Sequence, residues 1–123
     1  MEKKIVVIEE ADGSQNVQQY LAGNNGYNIL RVNSIIEFHS IAAQNPDVII
    51  LDDQMAGGST GQLFALLKSH RQTRHIPVIM LSVAKEPALI DHYRPDDILL
   101  KPFIPTQLLS KVEFWLGNVA GLN

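Results

Sequence analysis

The sequence predicts a single α/β domain in which helices cover both faces of a five-stranded parallel sheet. Short apolar runs recur along the chain without alternating with polar residues, which is typical of strands buried on both faces. Segments with apolar residues at helical spacing separate these runs. The length of 123 residues suits one domain and is too short for two of ordinary size. Strict alternation of strand and helix therefore predicts a doubly wound (βα)5 fold.

Four apolar runs predict the buried strands of this sheet. They are residues 5–8, 48–51, 78–81 and 98–100. Residues 27–32 are more polar and predict a fifth strand at an edge of the sheet. Because crossovers between parallel strands are right-handed, few topologies remain, and five βα units favour the flavodoxin-like strand order 2-1-3-4-5.

Five apolar stripes at helical spacing predict the helices. They lie within residues 17–21, 38–42, 63–67, 89–93 and 108–119. Ser34 and Glu37 have the spacing of a capping box before the second stripe, and Pro87 suits the first turn of the fourth. We expect residues 1–118 to form the domain and residues 119–123 to be a C-terminal tail or the start of a linker.

The composition excludes several classes of protein. Because the chain has no cysteine, it has neither a disulfide framework nor a thiolate metal or redox site. The net charge of -3 argues against general nucleic-acid binding, which needs clustered Lys and Arg. The apolar runs are too short for a membrane span or for the core of a signal peptide. We therefore expect a cytoplasmic domain that binds neither nucleic acid nor membrane directly.

Charged and polar side chains directly follow the predicted buried strands. In strand order these residues are Glu9 and Glu10, Asp52 and Asp53, Ser82, and Lys101. Ligands of a doubly wound sheet bind outside the carboxyl ends of its strands, and neighbouring strands lie about 4.8 Å apart. Any one of these residues has an ordinary structural explanation, such as a helix N-cap. Their coincidence at four strand ends predicts a shared pocket.

Such a pocket suits phosphoryl transfer to a carboxylate. Clustered carboxylates need a counter-charge, and Mg²⁺ or Mn²⁺ is the hard cation that oxygen ligands prefer. The carboxylate of Asp52 would be the nucleophile, as in aspartyl-phosphate chemistry. Ser82 would supply a hydroxyl and Lys101 a positive charge to the phosphoryl oxygens.

Four stretches of the chain resemble the receiver domain of response regulators, the CheY-like phosphoacceptor of two-component signalling. They are residues 4–10, 46–52, 77–82 and 96–103, the last with its Lys-Pro-Phe ending. The resemblance covers essentially the whole chain. It implies that Asp52 is the phosphorylated residue, with Ser82 and Lys101 as the other catalytic residues. The metal ligands it implies are Glu9, Glu10, Asp52 and the backbone carbonyl of Gln54. It also implies a cis peptide bond between Lys101 and Pro102.

The resemblance further implies a role in signalling. The phosphoryl group would come from a sensor histidine kinase or a histidine phosphotransfer protein, in a Mg²⁺-dependent reaction. The change would pass to a downstream protein through the face formed by the fourth and fifth predicted helices and the fifth strand. The domain would catalyse at most its own phosphorylation and slow dephosphorylation, so it is not predicted to be a turnover enzyme.

Several residues depart from the receiver pattern and keep an alternative open. Glu10 stands where the family usually has Asp, Ala56 where it has Pro, and Val83 where it has a small residue. Ile98 replaces the aromatic residue that commonly lies on the fifth strand. The alternative is a pseudo-receiver, an interaction module with a degenerate phosphorylation site.

Two further alternatives concern the acceptor and the reaction. Choosing Asp53 as the acceptor restores the usual spacing to Gly61 but loses the match at Met55 and the strand register. A phosphohydrolase of the haloacid-dehalogenase type also forms an aspartyl phosphate. That family requires a second Asp two residues after the nucleophile, where this chain has Gln54.

Overall fold

The computed structural model describes residues 2–9, 17–21, 26–32, 38–53, 60–83 and 94–117. The strands are β1 (Lys4–Ile8), β2 (Asn28–Val32), β3 (Val48–Asp52), β4 (Val78–Ser82) and β5 (Asp97–Leu100). All neighbouring strands are parallel, and their order is β2-β1-β3-β4-β5. The predicted fold class and strand order are confirmed. Strands β3 and β4 each run one residue further than predicted, and so include Asp52 and Ser82.

Four helices lie in the described part of the chain. They are α1 (Val17–Leu21), α2 (Phe38–Gln44), α3 (Thr60–Ser69) and α4 (Pro105–Trp115). Helix α4 is the fifth predicted helix, because the fourth, predicted from Pro87 to residue 93, lies outside the described residues. The Ser34–Glu37 capping pair and residues 119–123 also lie outside them. None of the described helices is long and apolar enough to span a membrane.

Each face of the sheet has its own apolar core. On one face, alternate residues of β1, β3 and β4 pack with Ile41 of α2 and with Leu63 and Leu67 of α3. On the other face, the intervening residues pack with Val17 of α1 and Leu108 of α4. Side chains alternate along a strand, so a slip of one residue would exchange the two sets. The apolar pattern therefore determines on which face of the sheet the side chain at the end of each strand lies.

Asp97 connects the beginning of β5 to the end of α4. Its carboxylate accepts hydrogen bonds from Lys111 Nζ at 2.8 Å and from Trp115 Nε1 at 2.8 Å. Trp115 is half-buried, whereas its neighbour Phe114 is exposed. The two aromatic residues thus point in different directions, as adjacent positions on a helix must.

Candidate functional site

Asp52 and Lys101 form an ion pair at the carboxyl edge of the sheet. Asp52 ends β3 and is only 5% exposed. Lys101 follows β5, and its Nζ donates a hydrogen bond of 2.7 Å to Oδ1 of Asp52. The Lys101 backbone N–H donates to the carbonyl of Ser82 at 2.8 Å, and the Lys101–Pro102 peptide bond is cis, as the resemblance implies. The fold therefore brings together two predicted site residues that are 49 positions apart.

Glu9 lies buried at the end of β1 and pairs with Arg31, a residue that the sequence does not predict to be in the site. Nε of Arg31, on the edge strand β2, lies 3.3 Å from Oε1 of Glu9. The Glu9 side chain is 4% exposed and that of Arg31 is 31% exposed. The sequence does show a basic residue near the carboxyl end of the strand that adjoins β1. Its pairing with Glu9 can be inferred only once Arg31 is known to lie opposite Val7.

The electrostatic surroundings of Glu9 act in both directions. Burial has the largest effect and raises the pKa of Glu9, because it disfavours the charged form. Arg31 lowers this pKa by charge and hydrogen bonding, Asp52 raises it, and Lys101 lowers it. The net result is a pKa above the ordinary value of 4.5. Glu9 is thus a carboxylate that additional positive charge would stabilise.

Ser82, at the end of β4, forms a hydrogen bond with Asp53, the neighbour of the predicted acceptor Asp52. Its Oγ donates a hydrogen bond of 2.5 Å to Oδ2 of Asp53. The Asp53 backbone N–H donates to the carbonyl of Leu81 at 2.9 Å, which continues the ladder between β3 and β4. Oδ1 of Asp53 is buried and has no hydrogen-bond partner among the described residues.

The strand register explains this pairing. Asp52 lies opposite Leu81, so Asp53 continues the ladder opposite Ser82 and both side chains follow the α2–α3 face. By the same alternation, Asp52 follows the α1–α4 face, on which Ile50 and Leu81 pack. The sequence shows the alternation along each strand but not the register that places Asp53 opposite Ser82, so it does not predict this contact.

Thr60 is a second residue of the site that the sequence does not predict. Its Oγ1 donates a hydrogen bond of 3.0 Å to the backbone carbonyl of Asp52, and its side chain is buried. The apolar stripe at residues 63–67 predicts a helix there, and α3 already begins at Thr60. The bond ties the start of that helix to the end of β3 and so helps to place Asp52.

The predicted metal ligands lie only partly within the described residues. Glu9 and Asp52 continue the same face of neighbouring strands, and their oxygen atoms are ligands that a hard divalent cation prefers. Glu10 and Gln54 lie outside the described residues. Among the residues that are described, no group of three acidic or histidine side chains could hold an ion. The carboxylates of Glu9 and Asp52 therefore suit Mg²⁺ but need further ligands to hold it.

The other departures from the receiver pattern are placed as follows. Val83 follows Ser82, the last residue of β4, and is 44% exposed. Ile98 is half-buried on β5, where it can contribute packing but no hydroxyl. Ala56 lies outside the described residues.

The fold and the site define a class: a doubly wound parallel sheet that holds a buried carboxylate–ammonium pair at its carboxyl edge. Residues 5–113 match the response regulator receiver domain family, and the chain belongs to that family. The resemblance drawn from the sequence is confirmed.

Relatives and solved structures agree with this assignment. The chain is 30% identical over 129 residues to the phosphate regulon transcriptional regulatory protein PhoB of Klebsiella pneumoniae. That match covers 98% of the chain and 54% of the relative, so the chain spans about half the length of this curated relative. It is also 24% identical to the polar-differentiation response regulator DivK of Brucella ovis, covering 96% of the chain and 99% of DivK.

One solved structure of the same fold holds a metal ion. It is the receiver domain of the sensor histidine kinase PA1611 from Pseudomonas aeruginosa, with magnesium coordinated in its active site cleft. The TM-score is 0.79 at 21% identity, and the match covers 95% of this chain and 99% of that one. At this identity the similarity establishes the fold.

Proposed function

We propose that this receiver domain accepts a phosphoryl group on the carboxylate of Asp52. The donor would be the phosphohistidine of a sensor kinase or of a histidine phosphotransfer protein. The observation that supports the proposal most is the buried pair of Asp52 with Lys101, at 2.7 Å on the carboxyl edge of the sheet. A carboxylate in this position is a nucleophile with a cation already beside it.

The transfer exchanges one bond to phosphorus for another. An oxygen of Asp52 forms a bond to phosphorus, the P–N bond of the phosphohistidine breaks, and the donor imidazole takes up a proton. The ammonium of Lys101 then lies close enough to neutralise charge on the transferred group. Water attack on the acyl phosphate later releases inorganic phosphate and restores the carboxylate. The domain thereby resets itself slowly and does not act as a turnover enzyme.

Mg²⁺ is the proposed cofactor, and Mn²⁺ would serve in the same way. Glu9 and Asp52 would hold it, with Glu10 and the backbone carbonyl of Gln54 completing the protein ligands. When bound, the ion would neutralise the carboxylates and the phosphoryl oxygens. Support comes from the raised pKa of Glu9, which marks a carboxylate that gains from added positive charge.

The proposed output surface lies on β5 and α4, with the fourth predicted helix. Leu100, Ile104 and Phe114 are 49%, 60% and 47% exposed, which is high for large apolar side chains. Large exposed apolar side chains are one sign of a protein-binding surface. We propose that a downstream protein in the cytoplasm binds here, and that residues 119–123 lead away from the domain as a tail or linker.

The pseudo-receiver remains the second candidate, and a specific observation favours it. Two side chains of the site already have partners within the chain, since Glu9 pairs with Arg31 and Ser82 with Asp53. A site held in this way could serve for protein binding alone. Reactivity towards a small phosphodonor separates the two candidates.

The test is incubation with acetyl phosphate and Mg²⁺, followed by intact-protein mass spectrometry. The wild type is expected to gain one phosphoryl group, and Asp52→Asn to gain none. Asp53→Asn is the matched control, since it makes the same substitution one residue away, and it is expected to keep the label. An unlabelled wild type would support the pseudo-receiver. Labelling of Asp52→Asn, together with loss of the label in Asp53→Asn, would move the acceptor to Asp53.

A further inference from the structure

We propose that Asp53 is a positioning residue that holds the Ser82 hydroxyl away from the phosphoryl group and so opposes the activated state of the domain. The inference rests on the proposed function, since it concerns what happens once a phosphoryl group is on Asp52. It is carried by the 2.5 Å hydrogen bond from Ser82 Oγ to Asp53 Oδ2. We call this hydrogen bond the Ser82 latch.

The latch competes directly with the phosphoryl group. A serine hydroxyl has a single hydrogen to donate. In the structure that hydrogen is donated to Asp53, on the α2–α3 side of the sheet, whereas Asp52 continues the α1–α4 side. Ser82 cannot keep this bond and also donate to an oxygen of a phosphoryl group on Asp52. Activation through Ser82 therefore requires the latch to open.

The backbone of Ser82 limits how it can open. Ser82 is the last residue of β4, lies opposite Leu100 in the sheet, and accepts a hydrogen bond from the Lys101 N–H. With the main chain held on this side, rotation about the side chain's own χ1 is the available movement. Opening the latch would thus be a rotamer change of Ser82 that takes its hydroxyl away from Asp53.

Opening the latch has an energetic cost at Asp53. Oδ1 of Asp53 is already buried without a partner among the described residues, and Oδ2 would lose the Ser82 donor. A hydrogen bond to a carboxylate is stronger than one between neutral groups, and leaving a buried acceptor unpaired is unfavourable. The latched state is therefore favoured until a phosphoryl group or its mimic provides a competing acceptor.

The experiment measures binding of beryllofluoride, a phosphoryl mimic, to the whole chain in the presence of Mg²⁺. Asp53→Ala removes the acceptor, and affinity is expected to rise roughly tenfold, the size of one hydrogen bond to a charged group. Asp53→Asn keeps a weaker neutral acceptor and should give a smaller rise. Isothermal titration calorimetry gives the affinities, and thermal unfolding shows that each variant is folded.

A double-mutant cycle with Ser82→Ala separates the latch from simple charge repulsion. If Asp53 acts through the hydroxyl, Asp53→Ala should change the affinity little in the Ser82→Ala background. An equal rise in both backgrounds would show repulsion of the anion and overturn the latch, and so would no rise in either. If Asp53→Ala does not fold, the same cycle is run with Asp53→Asn. A wild type that does not bind beryllofluoride would overturn the proposed function and the latch together, whereas wild-type binding without coupling overturns the latch alone.

Discussion

Every described side chain proposed to act in this site already has a partner from within the chain. Asp52 pairs with Lys101, Glu9 with Arg31, and Ser82 with Asp53. A metal ion or a phosphoryl group therefore competes with existing contacts, and its affinity depends on how strong those contacts are. At the scale of single residues, the affinity of the site for an ion or a phosphoryl group therefore depends on these pairs as well as on the reacting groups.

Arg31 is expected to weaken metal binding, because its guanidinium lies against a proposed ligand. Arg31→Gln removes the positive charge 3.3 Å from Glu9 and should raise the affinity for Mg²⁺ roughly threefold to tenfold at low ionic strength. Arg31→Lys keeps the charge and should stay near the wild type. Isothermal titration calorimetry with MgCl₂ measures both. Binding by Arg31→Gln that is no tighter than wild type would show that the pair does not compete with the ion.

At the scale of elements, β5 and α4 are joined at the end opposite to the site. Asp97 accepts hydrogen bonds from Lys111, from Trp115 and from the Ile98 N–H. Burial tends to raise the pKa of Asp97, but the hydrogen bonds from Lys111 and Trp115 outweigh it and hold the pKa below the ordinary value of 3.8. The charged form of Asp97 therefore stabilises the packing of α4 on the sheet.

Asp97→Asn should lower the free energy of unfolding by about 1 kcal/mol at pH 7, a modest value because the carboxylate keeps some contact with solvent. A carboxyl group whose pKa is lowered in the folded state stabilises the fold at any pH above its pKa in the unfolded chain. This stabilisation is lost as the pH falls through the pKa of the folded state. The difference from wild type should thus be constant above about pH 5 and shrink below pH 3.8.

Urea unfolding followed by circular dichroism measures this difference at each pH. Glu113→Gln is the control, since it removes a negative charge from an exposed position of the same helix. A gap between wild type and Asp97→Asn that widens on acidification would contradict the account of this contact.

The elements themselves could be predicted because the apolar pattern determines them. Strands buried on both faces are short continuous apolar runs, and β1, β3 and β4 occupy the predicted positions. The apolar runs predict the ends of β3 and β4 one residue too early, because the side chains of Asp52 and Ser82 are polar although their backbones remain in the ladder. The start of α3 could not be predicted, since the segment before Leu63 carries no apolar pattern to show that Thr60 is helical.

At the scale of the whole molecule, strand order determines which distant residues meet. The order 2-1-3-4-5 places the end of β1 beside that of β3. The end of β5 lies two strands from β3, and the long side chain of Lys101 spans that distance to Asp52. Glu9, Asp52 and Lys101 could therefore be grouped from the sequence. Arg31 and the Ser82–Asp53 contact could not, because each depends on register between particular strands and on side-chain direction. Register is fixed by packing over both faces, which no local pattern in the sequence reports.

Metal binding should stabilise the entire domain. An ion that binds only the folded chain adds about 1.4 kcal/mol at tenfold excess over its Kd, which corresponds to a rise of about 4–6 °C in Tm for a domain of this size. Thermal unfolding with and without MgCl₂ at constant ionic strength measures the rise, and Asp52→Asn should lose most of it. Asp47→Asn makes the same substitution at an exposed position before β3 and should keep it. An equal rise in Asp52→Asn would place the ion elsewhere.

The most direct test of the central claim is a crystal structure of the chain with Mg²⁺ and beryllofluoride. The account predicts the beryllofluoride adduct on the carboxylate of Asp52, with Nζ of Lys101 in hydrogen-bond contact with it and the ion held by Glu9 and Asp52. An adduct on Asp53, or a Lys101 side chain directed away from the adduct into solvent, would contradict it.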